Sequence, residues 1–450
     1  MVSADNLNLD VLELVFCFLS GNDLPSVALV SKSFLAGVIP RLYSTISYQI
    51  RQAKGYSIKE TMSPFASLLA HPHIGVHVRN IEIRSVPMLK SRLHPTFVRE
   101  CREALQLCRN LRIFKCTVPG VLPMFLPSLG NKERLESIRI HASLTSDQAK
   151  MLAKLGNLHH LALEFATWNV VDMLPSWTQS MSKTLSDLTL YMITELHEGV
   201  LESMLVHLPN LLGLHVLGCP KVDHIVMLRQ VSHTPLLQSL SLTTSESTCP
   251  LTQPPPSLRH LRYLAFDTRY TLQPSPSPTI LASVLSHLKS SSPALLSFAI
   301  KLPERKIIIG EAFVTQLIEL FGFSLRRLAF LDCGVAHQSI AEICKSCPHL
   351  ERLDLAIPVN QIQVFMTGVE HSRSLNMIVD VDNHVDHGIR KTLGPETVML
   401  MFVRCRSLKK IVSHQRIWTG RTKNDGSFAL DLERRFSHNY GSLWFTPRRD

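Results

Sequence analysis

The residue pattern nearest to a metal site in this 450-residue chain is a Cys-x-x-Cys pair, Cys344 and Cys347, with His349 beside it. Thiolate and imidazole suit zinc, but a closed zinc site takes four ligands and no second pair stands at a matching spacing. Cys344 instead falls on the apolar face of a helix-like segment, SIAEICKSC, and Cys347 at its end, as buried thiols do. The densest run of oxygen and imidazole ligands is Asp380, Asp382, His384, Asp386 and His387. It lies in a polar stretch where a long loop is expected, so we read no metal there. His71, His73 and His77 are unevenly spaced around a turn and read as solvated. The sequence holds no Gly-Lys-Ser/Thr phosphate loop, no G-x-S-x-G elbow, no H-E-x-x-H and no G-x-G-x-x-G. With no visible set of acid, base and nucleophile, the expectation is a chain that is not an enzyme and has no catalytic residue, cofactor or metal.

The remaining chemistry is recognition, and it depends on a repeat. The template L-x-x-L-x-L starts at Val78 (VRNIEI), Leu111 (LRIFKC), Leu135 (LESIRI), Leu158 (LHHLAL) and Leu185 (LSDLTL). It continues at Leu211, Leu237, Leu261, Leu295, Leu325 and Leu350, with degenerate copies at Leu375 and Leu408. Most starts are about 23–27 residues apart, within the range of a leucine-rich repeat. Helix-like segments with an apolar stripe, such as FVRECREALQLC and ILASVLSHL, precede the strands. Strand side chains alternate faces, so Leu161 and Leu163, or Leu353 and Leu355, point inward. One repeat cannot cover its own apolar face, so neighbours must stack. Only two copies carry the consensus Cys after the strand, Cys219 and Cys333, which predicts irregular repeats.

The alternate residues form the expected binding face. They are Arg139, His141, His160, Glu164, Asp187, Tyr191, His215, Tyr263, Asp267, Lys301, Arg327, Arg352 and Asp354. Tyr and Arg are favoured anchors in protein interfaces, so the expected ligand is a protein substrate whose identity the sequence does not name. Pro/Ser-rich stretches from Cys249 and Leu272 read as surface loops, the second carrying Ser-Pro pairs at Ser275 and Ser277.

Composition narrows the class. Hydrophobic residues are 45% and charged residues 18%, which excludes a disordered chain. Ten cysteines without a framework suit a reducing compartment. No basic n-region precedes the first apolar run and no run is long enough to span a bilayer, so we expect no secretion signal, no membrane partner, and a cytoplasmic or nuclear location. The net charge of +11 is spread along the chain. A basic end (Arg404, Arg406, Lys409, Lys410, Arg416, Arg421, Lys423, Arg434, Arg435, Arg448, Arg449) is interleaved with Trp418 and Trp444. It reads as a terminal cap or basic tail rather than as a nucleic-acid site, since no binding motif accompanies it.

The start of the chain differs from the repeats. Val11, Leu12, Val15, Phe16 and Leu19 recur at helical spacing, and Leu24, Val27, Ala28, Val30 and Phe34 continue the apolar set. A three-helix unit of this size buries little surface alone.

These residues resemble an F-box. Leu7, Asp10, Val11 and Leu12 stand where that family has Leu-Pro-x-Glu-Ile/Val-Leu; Phe16, Leu19, Asp23 and Leu24 follow; then come Val30, Ser31, Lys32, Phe34, Leu42 and Tyr43. Asn8 replaces the usual Pro, Asp10 the Glu, and Phe34 the commoner Trp. The wording is especially similar to F-box-like proteins of basidiomycete fungi. The resemblance covers about the first tenth of the chain.

With the repeat, it gives the expected architecture: an α/β fold with an N-terminal three-helix F-box (1–50), a helical linker (51–77), an irregular leucine-rich-repeat solenoid of curved parallel sheet with outer helices (78–415), and a C-terminal cap or basic tail (416–450). The resemblance implies a substrate receptor of an SCF-type ubiquitin ligase. The F-box would dock a Skp-family adaptor, and through it a cullin, using Leu7, Val11, Leu12, Val15, Phe16, Leu19, Leu24, Val30 and Phe34. A repeat scaffold without a ligase role is the alternative, and a nucleic-acid binder the less favoured one.

Overall fold

The computed structural model describes residues 8–19, 23–49, 62–90, 92–245, 251, 258–268, 278–290, 294–302, 307–381, 393–414, 416–422, 428–434 and 443–447. They belong to two compact units, Met1–Leu188 and Thr189–Asp450, divided inside the strand Asp187–Tyr191.

The first unit opens with three helices, α1 (Leu9–Phe16), α2 (Asp23–Ala28) and α3 (Lys32–Leu42). Asn8 and Ser31 cap α1 and α3, the Ser31 hydroxyl accepting from Phe34 N at 3.2 Å. Leu12, Phe16 and Val38 form the small core between them. The helices approach closely because Gly37 has no side chain: a Cβ there would meet Leu12 Cβ at 2.9 Å and the Phe16 ring at 3.1 Å. Arg41 Nε donates to the Leu19 carbonyl at 2.8 Å, tying α3 to the end of α1.

Parallel strands follow. The sequence places the first repeat at Val78, but the first parallel strand is Thr45–Tyr48, which pairs with Asn80–Ile83. TISY lacks a template leucine, yet Ile46 and Tyr48 fill the inward positions and are buried. Tyr48 packs on Phe65 and Phe97, and burial, with Glu100 and Cys101 nearby, pushes its phenol up to about 12. Ile113–Cys116, Ser137–His141 and His160–Glu164 each add in parallel. Helices Pro64–Ala70, Pro95–Leu107, Leu126–Leu129 and Ser146–Leu152 alternate with them.

The second unit repeats the plan. Gly213–Leu217, Ser239–Thr243, Tyr263–Asp267, Ser297–Lys301, Arg327–Leu331, Arg352–Leu355, Met377–Asp380 and Lys410–Ser413 run parallel in chain order. Helices such as Glu311–Phe321 and His337–Ser346 stack beside one another. The Pro/Ser-rich stretch from Cys249 and the Ser-Pro pairs at Ser275 and Ser277 lie almost wholly outside the described residues. The second stretch ends on a helix, Pro278–Lys289, because proline is tolerated in a first turn.

This is the α/β repeat stack that the template predicts. Leu161, Leu163, Leu353 and Leu355 all point into the core. Each such leucine contributes about 1.5–3 kcal/mol when fully buried. What recurs after the strand is a turn rather than a thiol. Phe165, Met192, Gly218, Asp332 and His414 each follow a strand and have positive φ. That conformation costs a non-glycine residue about 1–2 kcal/mol, and here it ends the strand and leads the chain away from the sheet. Cys219 and Cys333 sit one residue later, buried.

The array ends differently. Arg416–Thr422 and Phe428–Arg434 form an antiparallel hairpin on Lys410–Ser413, burying Trp418. The hairpin covers the sheet edge, as a cap must.

Replacing Gly37 with Ala should destabilise the α1–α3 packing by about 1–3 kcal/mol. Hydrogen exchange should show faster exchange in residues 9–42 and little change in 189–450. Unaltered protection in α1 would mean that the close approach does not hold these helices.

Candidate functional site

Two surfaces stand out. The first is on the three-helix unit. The helical stripe read from the sequence is split by the fold. Leu12 (2% exposed) and Phe16 (4%) face inward, with Phe16 edge-on to Phe34 at 5.3 Å. Neither is available to a partner, which corrects their place in the expected adaptor set. Leu19, Leu24 and Phe34 are half-buried against the same core. Val11, Val15 and Val30 are exposed, as docking requires, and Leu7 lies outside the described residues.

The largest exposed apolar groups were not in the expected set. Phe18 is 87% and Leu29 88% exposed, with Leu14 and Leu35 nearby in sequence and also exposed. The signal was present: LVFCFL, at the end of α1 and just beyond it, is an unbroken apolar run that the small core of Leu12, Phe16 and Val38 does not cover in full.

The second surface is the open sheet face of the second unit. Strict parallel register stacks one template position into a column: His215, Ser241, Ala265, Ala299, Ala329 and Asp354. The central members are small, so the column forms the floor of a trough. Leu443, Trp444 and Phe445 lie on it, packed with Leu217, Ala265, Ala299 and Ala329. Phe445 is 4% exposed, its ring 5.7 Å from Tyr191 and 5.9 Å from His215. Ser241 Oγ donates to the Phe445 carbonyl at 3.0 Å. His215 Nδ1 lies 2.7 Å from the same hydroxyl, so it carries the proton and donates. Lys301 Nζ sits 5.5 Å from the Trp444 ring centroid and 3.5 Å from Asp332. Trp444, read from the sequence as part of the cap, is therefore on the sheet face instead.

The expected substrate residues divide accordingly. Tyr191, His215 and Lys301 meet the C-terminal segment. Arg327 and Arg352 both bind Asp354, at 2.7 and 2.6 Å, and Asp354 is buried. Asp267 is buried as well, while Tyr263 remains half-buried. In the first unit Arg139 holds Glu164 at 2.6 Å, and His160 Nδ1 lies 2.9 Å from Asp187. Glu164, Asp267 and Asp354 are thus poor candidates for substrate contact: a buried carboxylate is held by its own neighbours. His141 stacks on Phe165 at 5.2 Å, and burial lowers its pKa. Sequence alternation located the face correctly; it did not reveal that the charges pair along it.

The possible metal ligands have structural uses. Burial pushes the Cys344 thiol up to about 12 and the Cys347 thiol up to about 11. The His349 ring packs on Phe323 at 5.4 Å. Asp380 accepts from Ser413 Oγ at 2.8 Å, and Asp382, His384, Asp386 and His387 lie outside the described residues. Among the described residues no group of three or more His, Cys, Asp and Glu side chains could hold a metal ion. His71 and His73 are ring neighbours at 6.0 Å on the surface. Of the basic end, Arg421 pairs with Asp431 at 3.2 Å, and Lys423, Arg435, Arg448 and Arg449 lie outside the described residues. An open cleft of about 850 Å³ in the first unit is lined by Arg102, Arg109, Lys132 and Arg134 among others.

No protein-family model matches the chain, and no curated protein matches it. Among solved structures it is similar to the yeast complex of Rad7 and Elc1, at 13% identity and a TM-score of 0.49, over 86% of this chain and 91% of that one. A likeness to the Drosophila Toll–Spatzle complex has 13% identity and a TM-score of 0.25, over 78% of this chain and 45% of that one.

Among the described cysteines, Cys17 alone is exposed. Iodoacetamide at about pH 8 should modify Cys17 first and reach Cys344 and Cys347 only after unfolding. Cys108, Cys116, Cys219, Cys333 and Cys344 are pushed up by burial from 9.0 to about 12. A raised thiol pKa supports the fold fully below the unfolded value and loses that support as pH rises towards the folded one. The urea midpoint should therefore fall between about pH 9 and pH 11. Native labelling of Cys344 as fast as Cys17 would contradict the burial of helix His337–Ser346.

Proposed function

We propose that this chain is a substrate-recognition subunit of an SCF-type, cullin-RING ubiquitin ligase. The observation that carries the reading is the folded three-helix unit with spare apolar side chains. Leu12, Phe16 and Val38 complete its core, while Leu14, Val15, Phe18, Leu29 and Val30 stay at its surface. Exposed apolar groups of this size mark an interaction site. They lie in the stretch whose spacing resembles an F-box, the module that docks a Skp-family adaptor and, through it, a cullin.

On this reading the repeats hold a protein substrate, and the chain needs no catalytic residue of its own. Ubiquitin transfer is the work of other subunits, and the receptor contributes proximity by raising the effective concentration of substrate lysines. A cytoplasmic or nuclear location goes with the proposal. Among the described residues no helix is long and apolar enough to cross a membrane.

The test separates docking from folding. The full chain should co-purify with a Skp-family adaptor at about micromolar concentrations. Phe18→Asp with Leu29→Asp should abolish that complex without changing the melting temperature. Leu12→Ala should instead destabilise the unit by about 2–5 kcal/mol. Failure of the wild-type chain to bind any such adaptor would remove the ligase reading and leave a repeat scaffold.

A further inference from the structure

The C-terminal segment on the sheet face has the contacts of a bound peptide. Its ring enters a trough whose floor is made of small side chains, Ser241, Ala265, Ala299 and Ala329. Tyr191 and His215 flank that ring. A cation, Lys301, faces the adjacent indole. A donor, Ser241 Oγ, reads the main-chain carbonyl of the ring residue, 204 positions away in sequence. Thr446 Oγ1 donates back to the Leu443 carbonyl at 3.0 Å, closing the segment into a turn. Apolar pocket, cation over an aromatic face and main-chain hydrogen bond are the means by which a groove selects a short segment.

The fit is incomplete in one respect. Trp444 Nε1 is buried and finds no acceptor among the described residues. A buried indole N–H normally has a partner. Among the described residues the resident segment thus leaves one hydrogen bond unmade, which a better-matched segment can complete.

We propose that this trough is a docking site for a partner segment carrying two adjacent bulky aromatic residues, and that residues 443–447 occupy it in cis until such a segment displaces them. The floor sets the size of the ring, Lys301 favours a large π-face beside it, and Ser241 fixes the register. Calling that partner the ligase substrate rests on the receptor reading; docking at the trough does not. The segment is tethered, so it competes at an effective concentration of order millimolar and holds back weak ligands.

The test uses the full chain and a fluorescein-labelled peptide of residues 441–450, read by anisotropy. The wild-type chain should bind it weakly, because its own segment is in place. The double variant Trp444→Ala, Phe445→Ala should bind it at least about ten-fold tighter. Adding Ala299→Arg, which fills the floor, should abolish that binding, and a peptide with both aromatics replaced by Ala should not bind. Equal affinity of wild type and double variant, or binding that survives Ala299→Arg, overturns the proposal. So does a double variant that no longer unfolds cooperatively, since a displaceable occupant cannot be indispensable to the core. Adaptor co-purification on the same variants separates the two readings. Peptide docking without adaptor binding removes only the ligase assignment, and adaptor binding without peptide docking removes only the trough.

Discussion

The parallel backbone ladder is the constraint on which the rest depends. Once one strand pairs with the next in fixed register, each template position is stacked on its equivalent in the neighbouring repeat. Inward positions become columns of leucine, isoleucine and phenylalanine, such as Leu264, Phe298, Leu328 and Leu353. No repeat can bury that column alone, so cohesion is shared between neighbours. The same stacking acts on the open face. A single small residue would make a dimple; Ser241, Ala265, Ala299 and Ala329 in register make a trough. The trough is therefore a by-product of the register that builds the core.

Charge on the open face follows the same rule. Arg327 and Arg352 occupy one column, and Asp354 stands in the adjacent column within reach of both. Arg139 reaches Glu164 on the next strand in the first unit. Such pairs add little net stability, because desolvation offsets most of the attraction. Their effect is on selectivity. Arg139 is matched by one carboxylate, while Arg327 and Arg352 share Asp354, so pairing reduces the positive charge that the open face offers a ligand without cancelling it. What remains to distinguish ligands on the second unit's sheet is shape, together with Lys301 and Ser241 at one place.

The fold was legible because period and burial agree. L-x-x-L-x-L states both the strand and its inward face, and Leu161, Leu163, Leu353 and Leu355 are where alternation puts them. Thr45–Tyr48 was missed because isoleucine and tyrosine do the work of the template leucines there, and a motif search sees residue types rather than volumes. The surfaces were less legible for a different reason. A helical stripe cannot separate Leu12, which is buried, from Val11, which is not, when both neighbours along the helix are apolar. Pairing of Asp354 with two arginines depends on register between strands 25 residues apart in sequence, from Arg327 to Arg352. The association of Phe445 with Ser241 spans 204 positions and has no local signature at all.

The two candidate surfaces meet the same problem, exposed apolar groups, in opposite ways. Phe18 and Leu29 of the N-terminal unit are left in water, while the trough has Phe445 laid over it. An apolar patch left open favours any partner that can cover it, and burial of a few such side chains is worth several kcal/mol at about 1.5–3 kcal/mol each. That surface is suited to a partner held for as long as the chain is folded. A trough filled in cis sets a threshold, because a second segment must first displace the tethered one. It is suited to a partner that comes and goes, and it keeps the trough covered in between. On the proposed reading this is the asymmetry that a receptor requires: a standing attachment at one end and a selective, reversible site on the repeats.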